Sequence, residues 1–393
     1  MTERAATTTG SAGRPLRFLW FGSYAKGPGY PRSETLIDGL RELGHQVTEV
    51  HAPLFDGVAD RVRVGGGRGL VRGAWRQGRA AVRLSAGWFR ADEHDVVVVG
   101  SGGVVDAPLV RFLQNFDRRP VVLDAFIPLY DTAIRDRALA AEGSTRARLL
   151  LGCERLAARL ADLVLTDTQE HADLLSADLG VEPSSLAVVP VAQADPGEPT
   201  ALPGGDVLEV LLVSTFIPLH GVETVIGAAE LLTDAPVRIT LVGAGQGLEA
   251  LRGRAEAATS LRLIPRFLTG DELRGHLEAS HVGLGVFGTT PKAARVVPLK
   301  AALTLAAGRA LVTRDGPAAR AGLGDAAELV PAGNPAALAH CLREMATDRA
   351  RVLALAERGR AHYLAHFTPT RAAEALLSGI DNARLTGSLQ PVE

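Results

Sequence analysis

Twice along this 393-residue chain a short, unbroken apolar run ends in a glycine-containing turn, a helical pattern follows, and another apolar run begins. Strand, turn, helix, strand is the βαβ unit, whose right-handed crossover builds a parallel sheet. The two series are separated by DPGEPTALPGGD, Asp195 to Asp206, with three prolines, three glycines and no periodicity. Such a stretch reads as a linker.

In the first series Leu16 to Phe21 is a buried strand entering the loop Gly22 to Tyr30, where Gly27 and Gly29 lie close together. Ser33 is the expected N-cap of the next helix, Leu36, Ile37, Leu40 and Leu43 its apolar stripe, and Gly44 its stop. Strands follow at Val47–Val50, at Val96–Val99 before Gly100, at Val121–Leu123 before Asp124, and at Leu163–Leu165 before Thr166. Runs this apolar are covered on both faces. The second series places strands at Val210–Val213, Ile239–Val242, Val282–Val286 and Ala310–Thr313, and from Asn334 to about Leu385 the pattern is helical.

The expected organisation is a disordered polar arm over residues 1–15, an α/β domain over 16–194, a linker over 195–206 and a second α/β domain over 207–360. Helices over 361–385 are expected to cross back to the first domain. Both domains are doubly wound and Rossmann-like, facing each other across a cleft at the carboxyl ends of their strands. Composition narrows the class. Lys plus Arg is 42 against 44 Asp plus Glu, so the net charge of -2 gives no reason to expect a nucleic-acid partner. Cys153 and Cys341 form no C-x-x-C or Cys/His cluster, which suits a reducing cytoplasm and offers no zinc site. The first fifteen residues lack the apolar core of a signal peptide, and no window reaches the 18 apolar residues of a membrane span.

Three stretches of the second series carry candidate chemistry. Leu241 to Gln246, LVGAGQ, is a strand entering a glycine turn; missing side chains there serve either a tight turn or a phosphate approaching backbone N–H groups. Ser214 to Gly221 lies between a strand and the helix Val222 to Leu232, whose N-terminus carries partial positive charge. Phe287 to Lys300 places Lys292, Arg295 and Lys300 at a sheet mouth with no acidic residue among them. Three such cations repel one another unless an anion joins them, and a diphosphate suits the spacing.

The order STFIPLHGVETVIGAAELL, LVGAGQ, LGVFGTTPKAARVVPLKAALTLAAGRALVT resembles the donor-binding domain of glycosyltransferase family 4, which has the GT-B fold. RPVVLDAFIPLYDTAIRDR and LADLVLTDTQEHADLL in the first domain resemble a bacterial branch of that group, so the likeness covers about residues 16–385. It implies a nucleoside diphosphate sugar in the interdomain cleft, used as co-substrate with no other cofactor, and sugar transfer with retention and without a metal. The residues it assigns to the donor are Gly27, Gly29, Ser214, Thr215, His220, Gly221, Gly243, Gly245, Gln246, Arg295 and Phe267, the last within a stretch Arg266 to Leu268 near the base. Lys292 and Lys300 take the catalytic charge role, and Asp124, where the family often has histidine, is a catalytic carboxylate or else a carboxylate held by backbone N–H groups.

The chain departs from the family pattern in three places. The family's Lys-Gly step is His220-Gly221, its arginine position falls near Thr215, and its Glu-x7-Glu pair falls on Arg295 and Leu303. Two alternatives to a transferase follow, a catalytically silent homologue acting as a scaffold and a nucleotide-sugar epimerase of the same fold. A dinucleotide oxidoreductase is disfavoured, because the first βαβ unit has no G-x-G-x-x-G with a later acidic partner.

A last feature stands apart from the cleft. Residues 61–90 hold arginines at 61, 63, 68, 72, 76, 79, 83 and 90 with no Asp or Glu, beside an apolar stripe of Val71, Trp75, Val82 and Trp88-Phe89. A basic amphipathic helix of this kind either packs its stripe on the first domain or lies on a membrane. The second reading makes the acceptor a lipid-linked glycan; a soluble glycan or small molecule is the acceptor otherwise.

Overall fold

The computed structural model describes residues 14–27, 31–53, 67–115, 118–245 and 247–387. The expected arm through residue 13, Gly29 and Tyr30, Arg61 and Arg63, and Gln246 lie outside the described residues. Arg14, counted with the arm, reaches the buried carboxylate of Asp95 at 2.9 Å.

The first half is a six-stranded parallel sheet of β1 (Arg17–Gly22), β2 (Gln46–His51), β3 (Val96–Val99), β4 (Val121–Asp124), β5 (Leu163–Thr166) and β6 (Leu186–Val188) in the order β2-β1-β3-β4-β5-β6. Helix α1 (Arg32–Glu42) covers one face. Ser33 does not cap it: Pro31 precedes the helix, and the Ser33 hydroxyl is buried without a partner. Helices α2 (Gly67–Trp88), α3 (Asp106–Leu113), α4 (Thr145–Leu160) and α5 (Gln169–Leu179) cover the other face.

The second half repeats the plan with β7 (Leu208–Val213), β8 (Val237–Val242), β9 (Leu261–Ile264), β10 (Val282–Leu284), β11 (Ala310–Arg314) and β12 (Glu328–Val330) in the parallel order β12-β11-β10-β7-β8-β9. Its helices are α6 (Val222–Glu230), α7 (Leu248–Ala257), α8 (Gly270–Glu278), α9 (Pro291–Arg295), α10 (Leu299–Ala306), α11 (Pro317–Leu323) and α12 (Pro335–Thr347). Two long helices close the described chain. In α13 (Arg349–His366) Tyr363 packs with Ala301, Leu305 and Leu311 of the second half, whereas α14 (Pro369–Leu385) buries Ala372, Leu376 and Ile380 against Phe18, Trp20 and Leu36 of the first. The chain therefore changes halves at Phe367–Thr368, where α13 ends and Thr368 caps α14.

In each sheet the strand order reverses at the first strand, and in an open α/β sheet the crevice beyond such a reversal receives ligands. The reversal falls between β1 and β3 in the first half and between β7 and β10 in the second. No described helix is long and apolar enough to cross a membrane.

Candidate functional site

At the second-half reversal the loops after β7, β8 and β10 meet by backbone contact. Gly243 has φ +137°, and a Cβ there would lie 1.8 Å from Ser214 O; one on Gly245 would lie 1.9 Å from Thr215 O. Gly221, φ +60°, would bring its Cβ within 2.3 Å of Gly288 N. The space left by these missing side chains is thus filled by neighbouring chain. Gly243 and Gly245, assigned from the sequence to a donor phosphate, thus also let the loops close on each other.

His220 is buried in that junction. Its Nδ1 accepts from the Thr215 amide at 3.2 Å and pairs with Ser214 Oγ at 2.9 Å, while Ser214 Oγ accepts from Phe216 N at 2.9 Å. Accepting at Nδ1 puts the ring proton on Nε2. Burial, reinforced by the charges of Lys300 and Arg137, lowers its pKa well below the ordinary histidine value, so the ring is neutral. His220 therefore does not replace the family's lysine as a cation; it offers a neutral N–H. The same loop holds Phe216 at φ 55°, a conformation rare outside glycine.

The three cations of the next loop are treated differently from one another. Arg295 Nη2 lies 2.5 Å from Asp131 Oδ1 of the first half, and the Arg295 carbonyl accepts from Thr168 Oγ1 at 2.7 Å. Lys292 Nζ donates to Thr132 Oγ1, and Thr290 Oγ1 donates to Asp136 at 3.0 Å. Burial lowers the Lys292 pKa, while Asp131 and Asp136 oppose the shift. Asp131 to Asp136 form one π-helical turn, a rare element often found at functional sites. The anion expected to join these cations is, for Arg295, a carboxylate of the protein itself. Arg295, assigned from the sequence to the donor, is thus held by the first half, and Leu303, the other position of the family's acidic pair, packs beside Val242 and Leu277.

Lys300 has no such partner. Its Nζ, at the start of α10, is sealed from solvent and makes no hydrogen bond among the described residues, and burial lowers its pKa to about 7. A buried ammonium without a counter-charge is costly, and at functional sites it marks a place kept for an anion.

On the first half, Asp124 ends β4 and is almost wholly enclosed. Arg32 Nε lies 3.3 Å from its Oδ2, and the same guanidinium donates to the carbonyls of Val189 and Pro190 at 2.8 Å each and stacks on Phe126. Burial raises the Asp124 pKa and Arg32 opposes it. Its oxygens turn to Arg32 and its surface is enclosed, so in this arrangement the Asp124 carboxylate is held by protein groups. Gly27, φ +101°, gives its amide to Glu34 at 3.1 Å rather than leaving it free for a phosphate.

A cavity of about 630 Å³ opens at the loops after β7 and β10. Ile217, Pro218, Gly288 and Thr290 line it from the second half, with Glu223 as its carboxylate and Arg137, from the first half, as its cation. Sequence reasoning quoted the stretches that hold both charges but singled out neither, since nothing local marks them as facing a cavity. It also missed the buried pair Asp167–His171, whose Oδ1 and Nδ1 are 2.5 Å apart and whose Nε2 has no partner; the i, i+4 spacing at the start of α5 was its only signal. Phe267 is 43% exposed, while neighbouring Arg266 is paired with Glu272 at the start of α8. Among the described residues no group of three or more His, Cys, Asp or Glu side chains is gathered as a metal requires.

The profile of a family described as glycosyl transferase 4-like domain matches residues 31–192, and one described as glycosyl transferase-like matches residues 229–378. No curated protein sequence matches the chain. Among solved structures, sucrose-phosphate synthase from Thermosynechococcus elongatus is similar at a TM-score of 0.69 and 16% identity, covering 95% of this chain and 100% of that one. HepE of Anabaena, in complex with UDP and glucose, is similar at 0.64 and 14%, covering 93% and 99%. TarM of S. aureus is similar at 0.57 and 12%, covering 72% of this chain and 55% of its own.

Proposed function

The chain is a GT-B glycosyltransferase, its first half of the family 4-like type, and from that premise we propose that it uses a nucleoside diphosphate sugar with retention and without a metal. The observation that carries the reading is Lys300, whose sealed amino group has no partner among the described residues, at the mouth of the second sheet. A diphosphate is the anion that fits beside it. HepE, a protein of the same fold, is known in complex with UDP-glucose, which supports this donor class.

In the transfer, the bond from the anomeric carbon to the diphosphate breaks and a bond to the acceptor oxygen forms on the same face. Charge develops on the departing oxygen, and groups fixed around it lower the barrier most. Lys300 supplies the positive charge, with Lys292 second, and the neutral Nε2–H of His220 donates a hydrogen bond. The departing phosphate takes the acceptor proton. Glu223 and Arg137, at the wall of the cavity, are the groups available to a ribose and a phosphate. Residues 61–90 touch a membrane in this proposal, so the favoured acceptor is a lipid-linked glycan, and the reaction is set on the cytoplasmic side.

Calorimetric titration with UDP, ADP, GDP and TDP, followed by hydrolysis of the matching diphosphate sugars with and without chelator, tests the reading. Binding of one diphosphate by the wild type, lost in Lys300→Ala, is expected, with hydrolysis indifferent to chelator. No binding of any diphosphate, or a strict divalent requirement, overturns it.

A further inference from the structure

The apolar stripe of the arginine helix divides between two faces. Ala80, Leu84 and Trp88 of α2 turn inward, Leu84 fully buried and Trp88 edge-on to Phe21. Trp75 and Val82 on α2 and Phe89 just past its end are spaced i, i+7, i+14, which keeps them on one line of the helix, and they are 62%, 71% and 78% exposed. The inward residues satisfy the first domain's need for a packed face; the outward ones have no partner there.

The two helices that follow α2 in the same layer continue the pattern. Phe112 on α3 is 70% exposed, and Leu149 and Leu156 on α4, again spaced i, i+7, are 68% and 50% exposed. The sequences of α2, α3 and α4 contain ten arginines and only two carboxylates, Asp106 and Glu154, both buried. Asp106 is consumed by Ser23, whose amide and hydroxyl both lie 2.7 Å away, and Glu154 by the amides of Leu129 and Tyr130. Among the described side chains of these three helices the outward charge is therefore arginine, with Arg111 paired to Asp162 just past α4, interleaved with large apolar side chains. On α2 the guanidinium of Arg79 stacks on the Trp75 ring, 4.6 Å from its centroid.

We propose that the outward face of α2, α3 and α4 docks on a bilayer surface containing anionic phospholipid. The proposal rests on the membrane contact named above, but not on the transfer chemistry. Charge complementarity selects an anionic partner. The dispersed leucine, valine and phenylalanine side chains select a bilayer over a nucleic acid, since phosphate backbones leave aliphatic side chains in water whereas an acyl boundary removes them from it. Arginine stems reach along such a boundary while the guanidinium stays with the headgroups. Membrane contact through three helices also anchors the first half as a rigid body, which a single helix does not.

Co-sedimentation of the full chain with vesicles of phosphatidylcholine alone, or of phosphatidylcholine with phosphatidylglycerol, tests the proposal. Binding is expected only to the second kind, falling at least about tenfold between low and high salt. Of the three tryptophans Trp20 is buried and Trp88 packed, so a blue shift of emission on binding reports Trp75. Trp75→Ala with Val82→Ala is expected to remove most binding, and Arg146→Glu with Arg148→Glu to weaken it about tenfold, an effect that docking through α2 alone does not give. All four positions lie on the surface, and unchanged hydrolysis of a soluble donor sugar checks that the variants are folded. No binding to either vesicle, equal binding to both, tighter binding to duplex DNA, or self-association in solution that shields Trp75 overturns the proposal. A chain that binds vesicles but no nucleoside diphosphate leaves the docking face standing and sinks the donor reading instead.

Discussion

The two halves share one plan, six parallel strands with the order reversing at the first, yet where they touch the first offers carboxylates and the second cations, while at the cavity the signs reverse, Arg137 from the first and Glu223 from the second. Beyond β4 and β5 the first half presents Asp131, Asp136 and the pair Asp167–His171, with Asp124 behind them. Beyond β7 and β10 the second half presents neutral His220, then Lys292, Arg295 and Lys300. Two of the three cations are held by the first half, and one is not. The difference teaches that charge at a cleft mouth divides between holding the halves together and meeting a ligand, and that partner geometry decides which is which.

The comparison breaks most severely at the glycines. Gly243→Ala drives a Cβ into Ser214 O at a φ of +137°, and is expected to lower stability by about 3 to 5 kcal/mol through strain and loop displacement. Gly27→Ala in the first half meets nothing within 4 Å and carries only the cost of its φ, about 1 to 2 kcal/mol. Denaturant unfolding of both variants measures the pair; equal losses would remove the distinction between a glycine that admits a neighbouring loop and one that serves a turn.

Next in size is the unpaired cation. Lys300→Met is expected to reduce turnover by about 100- to 1,000-fold, the loss seen when one preorganised charge on a developing anion is removed. Its melting temperature should stay level or rise, because a buried ammonium with no partner costs stability. A destabilised but active variant would reverse the roles given to Lys300 and Arg295. Arg295→Ala is the converse test. It leaves Asp131 buried with Arg135 at 3.8 Å and the nearby charge of Lys292, so a loss of about 3 kcal/mol in stability is expected, with UDP affinity nearly unchanged.

How much of this was legible in the sequence follows from distance along the chain. The central strands announce themselves because both faces are covered and every residue is apolar, as in Val96–Val99. β6, β9 and β12 do not, since they are three or four residues long and part-exposed at or near the edges. The cluster Lys292 to Lys300 is visible as charge, but the partner of Arg295 is 164 residues away on a π-helical turn that no periodicity describes. Likewise LVGAGQ shows that side chains are missing without showing that Ser214 and Thr215 fill the space. For the arginine helix, the stripe read from the sequence divides between two faces: Leu84 and Trp88 pack inward, Trp75, Val82 and Phe89 face out.

The smallest effect concerns pH and separates the free cation from the held ones. With a pKa of about 7, Lys300 is an ammonium below neutrality and loses its proton as the pH rises through that value. A diphosphate binds the charged form, so the affinity for a donor sugar is expected to be level below pH 7 and to fall above it, by at most about tenfold per unit because a single proton is linked. A diphosphate sugar is the ligand to titrate, since it lacks the terminal phosphate whose own ionisation confuses the same range in UDP. His220 adds nothing to the slope, as burial keeps it neutral throughout. Calorimetry at pH 6, 7 and 8 should therefore give a slope in the wild type and a flat line in Lys300→Met; a slope that survives the substitution moves the titrating group elsewhere in the cleft.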